Sequence, residues 1–126
     1  MILLEKHYHK AVDIWALGII IYEMFKYISE KREHGKSCQV FQAKRCFPLT
    51  PDGVVWDQDG LPQTDGDLLD SIFDLIGTPQ KEDWKFISDN FAIDYLKKFK
   101  VRPPRDLYQE LPNIEPEGIK LLQSIL

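Results

Sequence analysis

The sequence predicts a mainly α-helical fold that contains one long irregular insertion. Three stretches place apolar residues at helical spacing, namely residues 11–27, 68–76 and 116–126. Between the first two, residues 29–66 hold four of the seven glycines and three of the eight prolines. The turn dipeptides Asp52-Gly53 and Asp59-Gly60 lie in the same segment. We therefore expect helices on both sides of a long segment with little regular structure.

The first helix is apolar on nearly all sides. It contains the stretch KAVDIWALGIIIYEMF, residues 10–25, in which Asp13 can accept backbone amide protons near the helix start. Residues 14–22 are too few to cross a bilayer, which needs roughly 20 apolar residues, and Asp13 and Glu23 flank them. A helix of this kind is normally surrounded by other parts of a protein. We expect it to need more neighbours than this chain supplies.

The elements after the first helix are predicted from helix start and stop signals. Thr78 is predicted to cap a new helix with Pro79 at its first position, and residues 100–112 are expected to be irregular. A short strand or hairpin is predicted at residues 54–56. The apolar face of the second predicted helix consists of Leu68, Leu69, Ile72, Phe73, Leu75 and Ile76, with Gly77 as its C-terminal cap. The face of the last consists of Ile119, Leu122, Ile125 and Leu126.

Composition disfavours several classes of function. The 16 Lys and Arg residues are scattered and fewer than the 20 Asp and Glu residues, so nucleic acid is not an expected partner. Cys38 and Cys46 form no close pair and no signal peptide begins the chain, which favours a reducing compartment, the cytoplasm or the nucleus. His7, His9 and His34 form no metal-binding pair with each other or with the cysteines, so no metal site is expected. No membrane partner is expected either.

Three segments in order resemble the C-terminal lobe of a eukaryotic protein kinase of the mitogen-activated and cyclin-dependent group. DIWALG at residues 13–18 resembles the Asp-x-Trp-x-x-Gly pattern that opens the central F helix. DLLDSIFDLIGTPQKEDW resembles the G helix with its following Gly-Thr-Pro turn, and DLYQELPNIEPEGIKLLQSIL resembles the segment that leads into the H helix. The resemblance implies that residues 1–126 form a partial kinase domain, from after the Ala-Pro-Glu position to the H helix, with residues 29–66 as an inserted loop.

The resemblance implies roles for three residues in supporting the catalytic loop. Asp13 would accept hydrogen bonds from the backbone amides of that loop, Trp15 would pack beneath the substrate-binding side, and Gly18 would allow a neighbouring segment to approach closely. The alternative from the residues alone is a simple cap at Asp13, an ordinary core residue at Trp15 and a tolerated glycine at Gly18.

The catalytic motifs of the kinase family are absent from the sequence. It contains no Gly-x-Gly-x-x-Gly, no His-Arg-Asp and no Asp-Phe-Gly, which position ATP and magnesium in kinases. We expect a fragment that is cut at both ends and has no catalytic, cofactor-binding or metal-binding residue of its own. ATP and Mg²⁺ would be bound in an intact parent, and the expected partners are the missing remainder of the kinase domain and protein substrates or regulators.

Two further surfaces have alternative interpretations. Val55 and Trp56 in the insertion can bind a regulator or belong to a solvated loop. The basic residues Lys97, Lys98, Lys100, Arg102 and Arg105 can receive an acidic or phosphorylated peptide or form a solvated face. At the level of the whole chain, the alternative to a kinase fragment is a non-catalytic, kinase-derived module that docks on a protein partner through the first helix.

Overall fold

The fold is helical in the part of the chain that the structure, a computed structural model, describes: residues 10–30, 39–47, 49 and 55–126. Among these residues there are five α-helices and one 3₁₀ helix, and no strand beyond two isolated bridges. The helices are α1 (Ala11–Glu30), α2 (Leu68–Ile76), the 3₁₀ helix (Lys81–Trp84), α3 (Asn90–Lys97), α4 (Leu107–Glu110) and α5 (Pro116–Ile125). The predicted mainly α-helical class is confirmed.

The described residues form two compact units. The α1 unit comprises the described residues up to Val40 together with Arg105–Leu126, and the α2 unit comprises the described residues of Phe41–Pro104. None of the helices in the described ranges is both long enough and apolar enough to cross a membrane.

The core of the α1 unit forms where α5 packs against α1 and α4. Pro116 stands in the first turn of α5, where a missing backbone N–H costs no hydrogen bond. Asp106 caps α4 by accepting from the amides of Tyr108 and Gln109. The buried apolar side chains of this unit are Tyr22, Leu107, Leu111, Ile119 and Leu122. The predicted last helix and its buried positions Ile119 and Leu122 are confirmed.

The core of the α2 unit combines the apolar face of α2 with aromatic residues. The ring of Phe73 lies 5.1 Å from that of Phe99, which lies 5.0 Å from Tyr95, and Tyr95 lies 5.5 Å from Phe47. Edge-to-face pairs at such distances add about 0.5–1.5 kcal/mol each beyond the area they bury. The other buried apolar residues are Leu69, Ile72, Leu75, Ile87, Ala92 and Leu96. The predicted α2 face is therefore confirmed at its four central positions, while Leu68 and Ile76 are half-buried.

Both ends of α2 have specific caps. The fully buried carboxylate of Asp67 accepts from the amide of Leu69 at 2.9 Å and from that of Phe47 at 3.0 Å. At the other end, Gly77 has a φ of 84°, and its N–H donates to the carbonyl of Phe73 at 3.0 Å. A Cβ on Gly77 would lie 2.8 Å from the backbone nitrogen of Pro104. Both the positive φ and this close backbone contact therefore require glycine at this position. The predicted C-terminal cap is confirmed.

The prediction of a helix that is capped by Thr78 is wrong. The buried Thr78 hydroxyl donates to the carbonyl of Lys100 at 2.9 Å and accepts from the amide of Arg102 at 3.1 Å. The 3₁₀ helix begins later, where the Asp83 carboxylate accepts from the amide of Gln80 at 2.7 Å. The Thr78 hydroxyl, which the local sequence pattern predicts as a helix N-cap, therefore makes a tertiary contact instead.

Two helices lie where none was predicted. In α3, the Asp89 carboxylate caps the first turn by accepting from the amide of Ala92 at 2.8 Å. The buried Ala92, Tyr95, Leu96 and Phe99 follow at spacings of three and four residues. The short helix α4 falls within residues 100–112, which were expected to be irregular.

The predicted strand near Trp56 is reduced to a single bridge. Trp56 pairs with Pro62, and the amide of Gln63 donates to the carbonyl of Val55 at 2.9 Å. The Asp57 carboxylate stabilises the turn by accepting from two following backbone amides. Residues 51–54, and with them the predicted Val54, lie outside the described residues.

Candidate functional site

The outer face of α1 carries a continuous apolar surface. At 100° per residue, six large side chains fall within one stripe, and each is between 41% and 59% exposed. We call this surface the α1 stripe, and it consists of Ile14, Leu17, Ile20, Met24, Tyr27 and Ile28. The buried residues of α1, Gly18, Tyr22 and Ser29, lie on the opposite side of the helix. The helix therefore packs within its unit along one side only.

The size of the α1 stripe indicates an interaction surface. Fully burying an aliphatic or aromatic side chain contributes about 1.5–3 kcal/mol, so covering the exposed half of six such residues would contribute roughly 5–9 kcal/mol. Single exposed apolar residues need no explanation, but contiguous apolar patches mark sites of association or a tendency to aggregate. The stripe agrees with the expectation that α1 needs further neighbours.

The three residues predicted to support a catalytic loop all lie in α1 but in different environments. Asp13 is exposed in the first turn, and no described residue donates a hydrogen bond to its carboxylate. Trp15 is half-buried. Gly18 is buried, and a Cβ there would overlap the Cγ2 of Ile125 and come within 3.1 Å of the Cδ2 of Leu126. The close approach at Gly18 comes from the end of α5, and the role of all three in supporting a catalytic loop stays a prediction.

A polar cluster occupies the buried side of α1. The Oε1 of Glu110 accepts from the Tyr22 hydroxyl at 2.6 Å, from Lys26 Nζ at 3.3 Å and from Arg105 Nη1 at 3.1 Å. The Lys26 ammonium also lies 5.9 Å from the centre of the Tyr22 ring. The other carboxylate oxygen of Glu110 is buried and has no hydrogen-bond partner among the described residues. We call these four residues the Glu110 cluster.

Glu110 and Tyr22 keep fixed protonation states near neutral pH. Burial raises the pKa of Glu110, but the hydrogen bond from Tyr22 and the charges of Arg105 and Lys26 outweigh burial, so its pKa lies below the usual value. Burial, followed by the hydrogen bond to Glu110, raises the pKa of Tyr22 above its ordinary value. Neither group changes charge near pH 7, so the cluster is a structural ion-pair network. Sequence analysis missed it, and its one local signal was a lysine between two aromatic residues of α1, Phe25 and Tyr27.

The basic residues near α3 are mostly engaged with acids. Lys97 pairs with Asp94 at 2.7 Å, Lys98 pairs with Asp57, and Arg102 pairs with Asp70 and with Asp74 at 3.6 Å. Arg105 belongs to the Glu110 cluster, and Lys100 is exposed. Four of the five basic residues therefore already have acidic partners.

No described group of acidic, histidine or cysteine side chains is arranged to hold a metal ion. Burial, with a smaller contribution from the charge of Asp67, raises the pKa of the Cys46 thiol. His7, His9, His34 and Cys38 lie outside the described residues.

Comparison with known proteins supports the resemblance stated above. No protein-family model matches the chain. Among curated proteins, it is 29% identical over 119 residues to mitogen-activated protein kinase 20 of Arabidopsis thaliana. The chain is similar to a mitogen-activated protein kinase. The match covers 94% of this chain, and the chain spans about 15% of the length of that relative. The predicted resemblance to the mitogen-activated kinase group is thereby confirmed.

Proposed function

We propose that this chain is part of a serine/threonine protein kinase of the mitogen-activated type and contributes to its C-terminal lobe. In this assignment α1 is the central F helix, α2 the G helix and α5 the H helix. The order of these helices along the chain and the similarity over 119 residues support the assignment. The irregular residues described within 39–66 then belong to an insertion between the F and G helices.

The observation that carries the proposal is the α1 stripe. The F helix of kinases runs through the middle of the lobe, so a chain that supplies only part of the lobe leaves one side of this helix uncovered. Here one side packs on α5 while the α1 stripe is exposed. The remainder of the kinase domain is the proposed cover. Asp13, Trp15 and Gly18 would support its catalytic loop from α1.

The proposed contribution of this chain is scaffold and substrate-side surface, without phosphoryl transfer of its own. Its sequence lacks the glycine-rich, His-Arg-Asp and Asp-Phe-Gly motifs that the reaction needs. In the intact parent, ATP and Mg²⁺ bind the remainder of the domain, protein substrates receive the phosphoryl group, and the location is the cytoplasm or the nucleus. Calorimetric titration of the 126-residue chain with magnesium-ATP should give no heat of binding at micromolar concentrations.

The natural transcript provides the direct test. We expect that sequencing of full-length messenger RNA will place His-Arg-Asp and Asp-Phe-Gly codons in frame upstream of the codon for Met1. Within that parent, Asp13→Ala should reduce kcat strongly, because the catalytic loop would lose an acceptor for its backbone amides. The matched control is Asp106→Ala, which removes an aspartate cap from α4 in the same unit. A transcript without those codons would rule out the proposal.

A second candidate is a non-catalytic module that docks on a protein partner through α1. It is favoured by the spacing of Ile14, Leu17, Ile21, Met24 and Ile28, which alternates between three and four residues as in a coiled-coil seam. Four of these side chains are exposed and Ile21 is half-buried.

Sedimentation of the purified chain distinguishes the two candidates. A docking module should form a defined oligomer or a stable complex, which Leu17→Glu disrupts and Ala16→Glu, outside the stripe, leaves intact. An uncovered kinase lobe should instead aggregate without a fixed stoichiometry, and Leu17→Glu should reduce that aggregation. A soluble, cooperative monomer would argue against any need to cover α1.

A further inference from the structure

A cavity of about 360 Å³ opens on the α2 unit between the 3₁₀ helix and α3. We propose that this cavity binds an acidic segment of a partner protein that inserts one large apolar side chain. The proposal goes beyond the kinase assignment and does not depend on it. The residues that carry it are Lys81, Trp84, Leu96, Lys97, Phe99 and Val101.

The walls of the cavity suit an apolar anchor. Trp84, Leu96 and Phe99 form an apolar lining, and Val101 at the rim is 75% exposed. A volume of about 360 Å³ lies at the lower end of the roughly 300–1,000 Å³ that is typical of ligand sites. This size accommodates one aromatic or long aliphatic side chain, with the rest of a bound segment crossing the rim.

The charged side chains that line the cavity, Lys81 and Lys97, favour an acidic segment. No carboxylate occurs among the described lining residues, although Asp83 beside the cavity accepts from the amide of the lining residue Gln80 at 2.7 Å. Lys97 does pair with Asp94, but both side chains are more than half exposed, and such surface pairs contribute little. Carboxylates of a partner can therefore replace Asp94 and reach Lys81 at little cost.

The indole nitrogen of Trp84 provides a second, independent feature. Nε1 is buried and has no acceptor among the described residues, although Trp84 lines the cavity. A buried donor without an acceptor is unfavourable by about 1–3 kcal/mol, so a bound segment that turns the Trp84 indole toward one of its carbonyl or carboxylate oxygens would relieve this cost. Few buried donors remain unpaired in proteins, and this one belongs to a residue that lines the cavity.

A peptide titration on the full 126-residue chain tests the proposal. The probe is the peptide acetyl-Glu-Asp-Phe-Glu-Asp-amide, and the reporter is the Trp84 indole resonance in ¹H–¹⁵N spectra, assigned with Trp84→Phe. We expect the peptide to shift this resonance and its affinity to fall as salt is raised. Lys81→Glu should weaken binding about tenfold, because it reverses a charge at the site. The control Lys120→Glu changes the net charge equally on the exposed face of α5 and should leave the affinity unchanged.

Three results would overturn the proposal. Equal binding of a peptide with lysine in place of each acid would remove the role of charge. Failure of both Lys81→Glu and Val101→Asp to weaken binding would place the peptide elsewhere on the chain. If phenylpropionate alone bound as tightly as the peptide, the cavity would be a small-molecule site and not a docking site for a protein segment.

Discussion

Replacing Glu110 with alanine should destabilise the α1 unit, because one carboxylate oxygen serves three donors. The Tyr22 hydroxyl is fully buried and 2.6 Å from that oxygen, and loss of such a charge-assisted hydrogen bond costs about 1.5–3 kcal/mol. The pairs with Lys26 and Arg105 are partly solvated, the Arg105 side chain being 39% exposed, so each contributes about 0–1 kcal/mol. Together these contributions predict a loss of about 1.5–5 kcal/mol.

Urea unfolding, followed by tryptophan fluorescence, measures this loss. In a Trp56→Phe, Trp84→Phe background, Trp15 is the sole tryptophan and reports on the α1 unit. The matched control is Glu115→Ala, because Glu115 is exposed at the start of α5 and its side chain makes no capping hydrogen bond. The control should change the free energy of unfolding by no more than about 0.5 kcal/mol.

A double-mutant cycle tests the assigned cause. Tyr22→Phe removes the donor and keeps the ring, so in combination with Glu110→Ala its cost should largely disappear, with a coupling energy of about 0.5–3 kcal/mol. Strictly additive costs, or a Glu110→Ala cost equal to that of Glu115→Ala, would refute the reasoning.

Four further predictions concern pH and glycine. Because the folded pKa of Glu110 is lowered, its contribution to stability should be present above about pH 4.3, the unfolded value, and decrease as the pH falls further, and Glu110→Gln should abolish this dependence. Because the folded pKa of Tyr22 is raised, stability should decrease as the pH rises above about 10, and Tyr22→Phe should remove that loss. Gly77→Ala should cost at least about 1–3 kcal/mol in unfolding experiments, and more than Gly60→Ala, which has similar φ strain but open space around its Cβ position. Gly18→Ala should destabilise by about 0–2 kcal/mol, since overlap with the end of α5 outweighs the gain in helix propensity.

The elements that could be predicted from sequence are those with strong local signals. The face of α2 and its cap at Gly77 follow from helical spacing and from the unique backbone freedom of glycine. The last helix follows from Pro116 and the buried positions at Ile119 and Leu122. In these cases local preference and tertiary packing agree, so a pattern in one short segment is sufficient.

The features that could not be predicted depend on residues far apart in sequence. Thr78 carries a cap signal, yet its hydroxyl bonds to a backbone segment more than 20 residues later, at Lys100 and Arg102. The Glu110 cluster likewise joins Tyr22 to a carboxylate 88 residues away. No local pattern encodes such pairs, because each partner alone resembles an ordinary surface or core residue.

The two faces of α1 differ in chemistry in a way that argues for a second packing partner. The inner face contains Gly18, which lets α5 approach, and Tyr22, which reaches the Glu110 carboxylate. Apart from Tyr27, the outer face carries branched aliphatic residues and methionine, whose side chains are more favourable when they are removed from water. On α5, by contrast, the exposed Leu121 stands alone, as single apolar residues commonly do on surfaces. A helix selected only to pack on α5 would carry polar residues on its solvent-facing side. The α1 stripe is therefore best explained by a packing partner that the described residues do not provide.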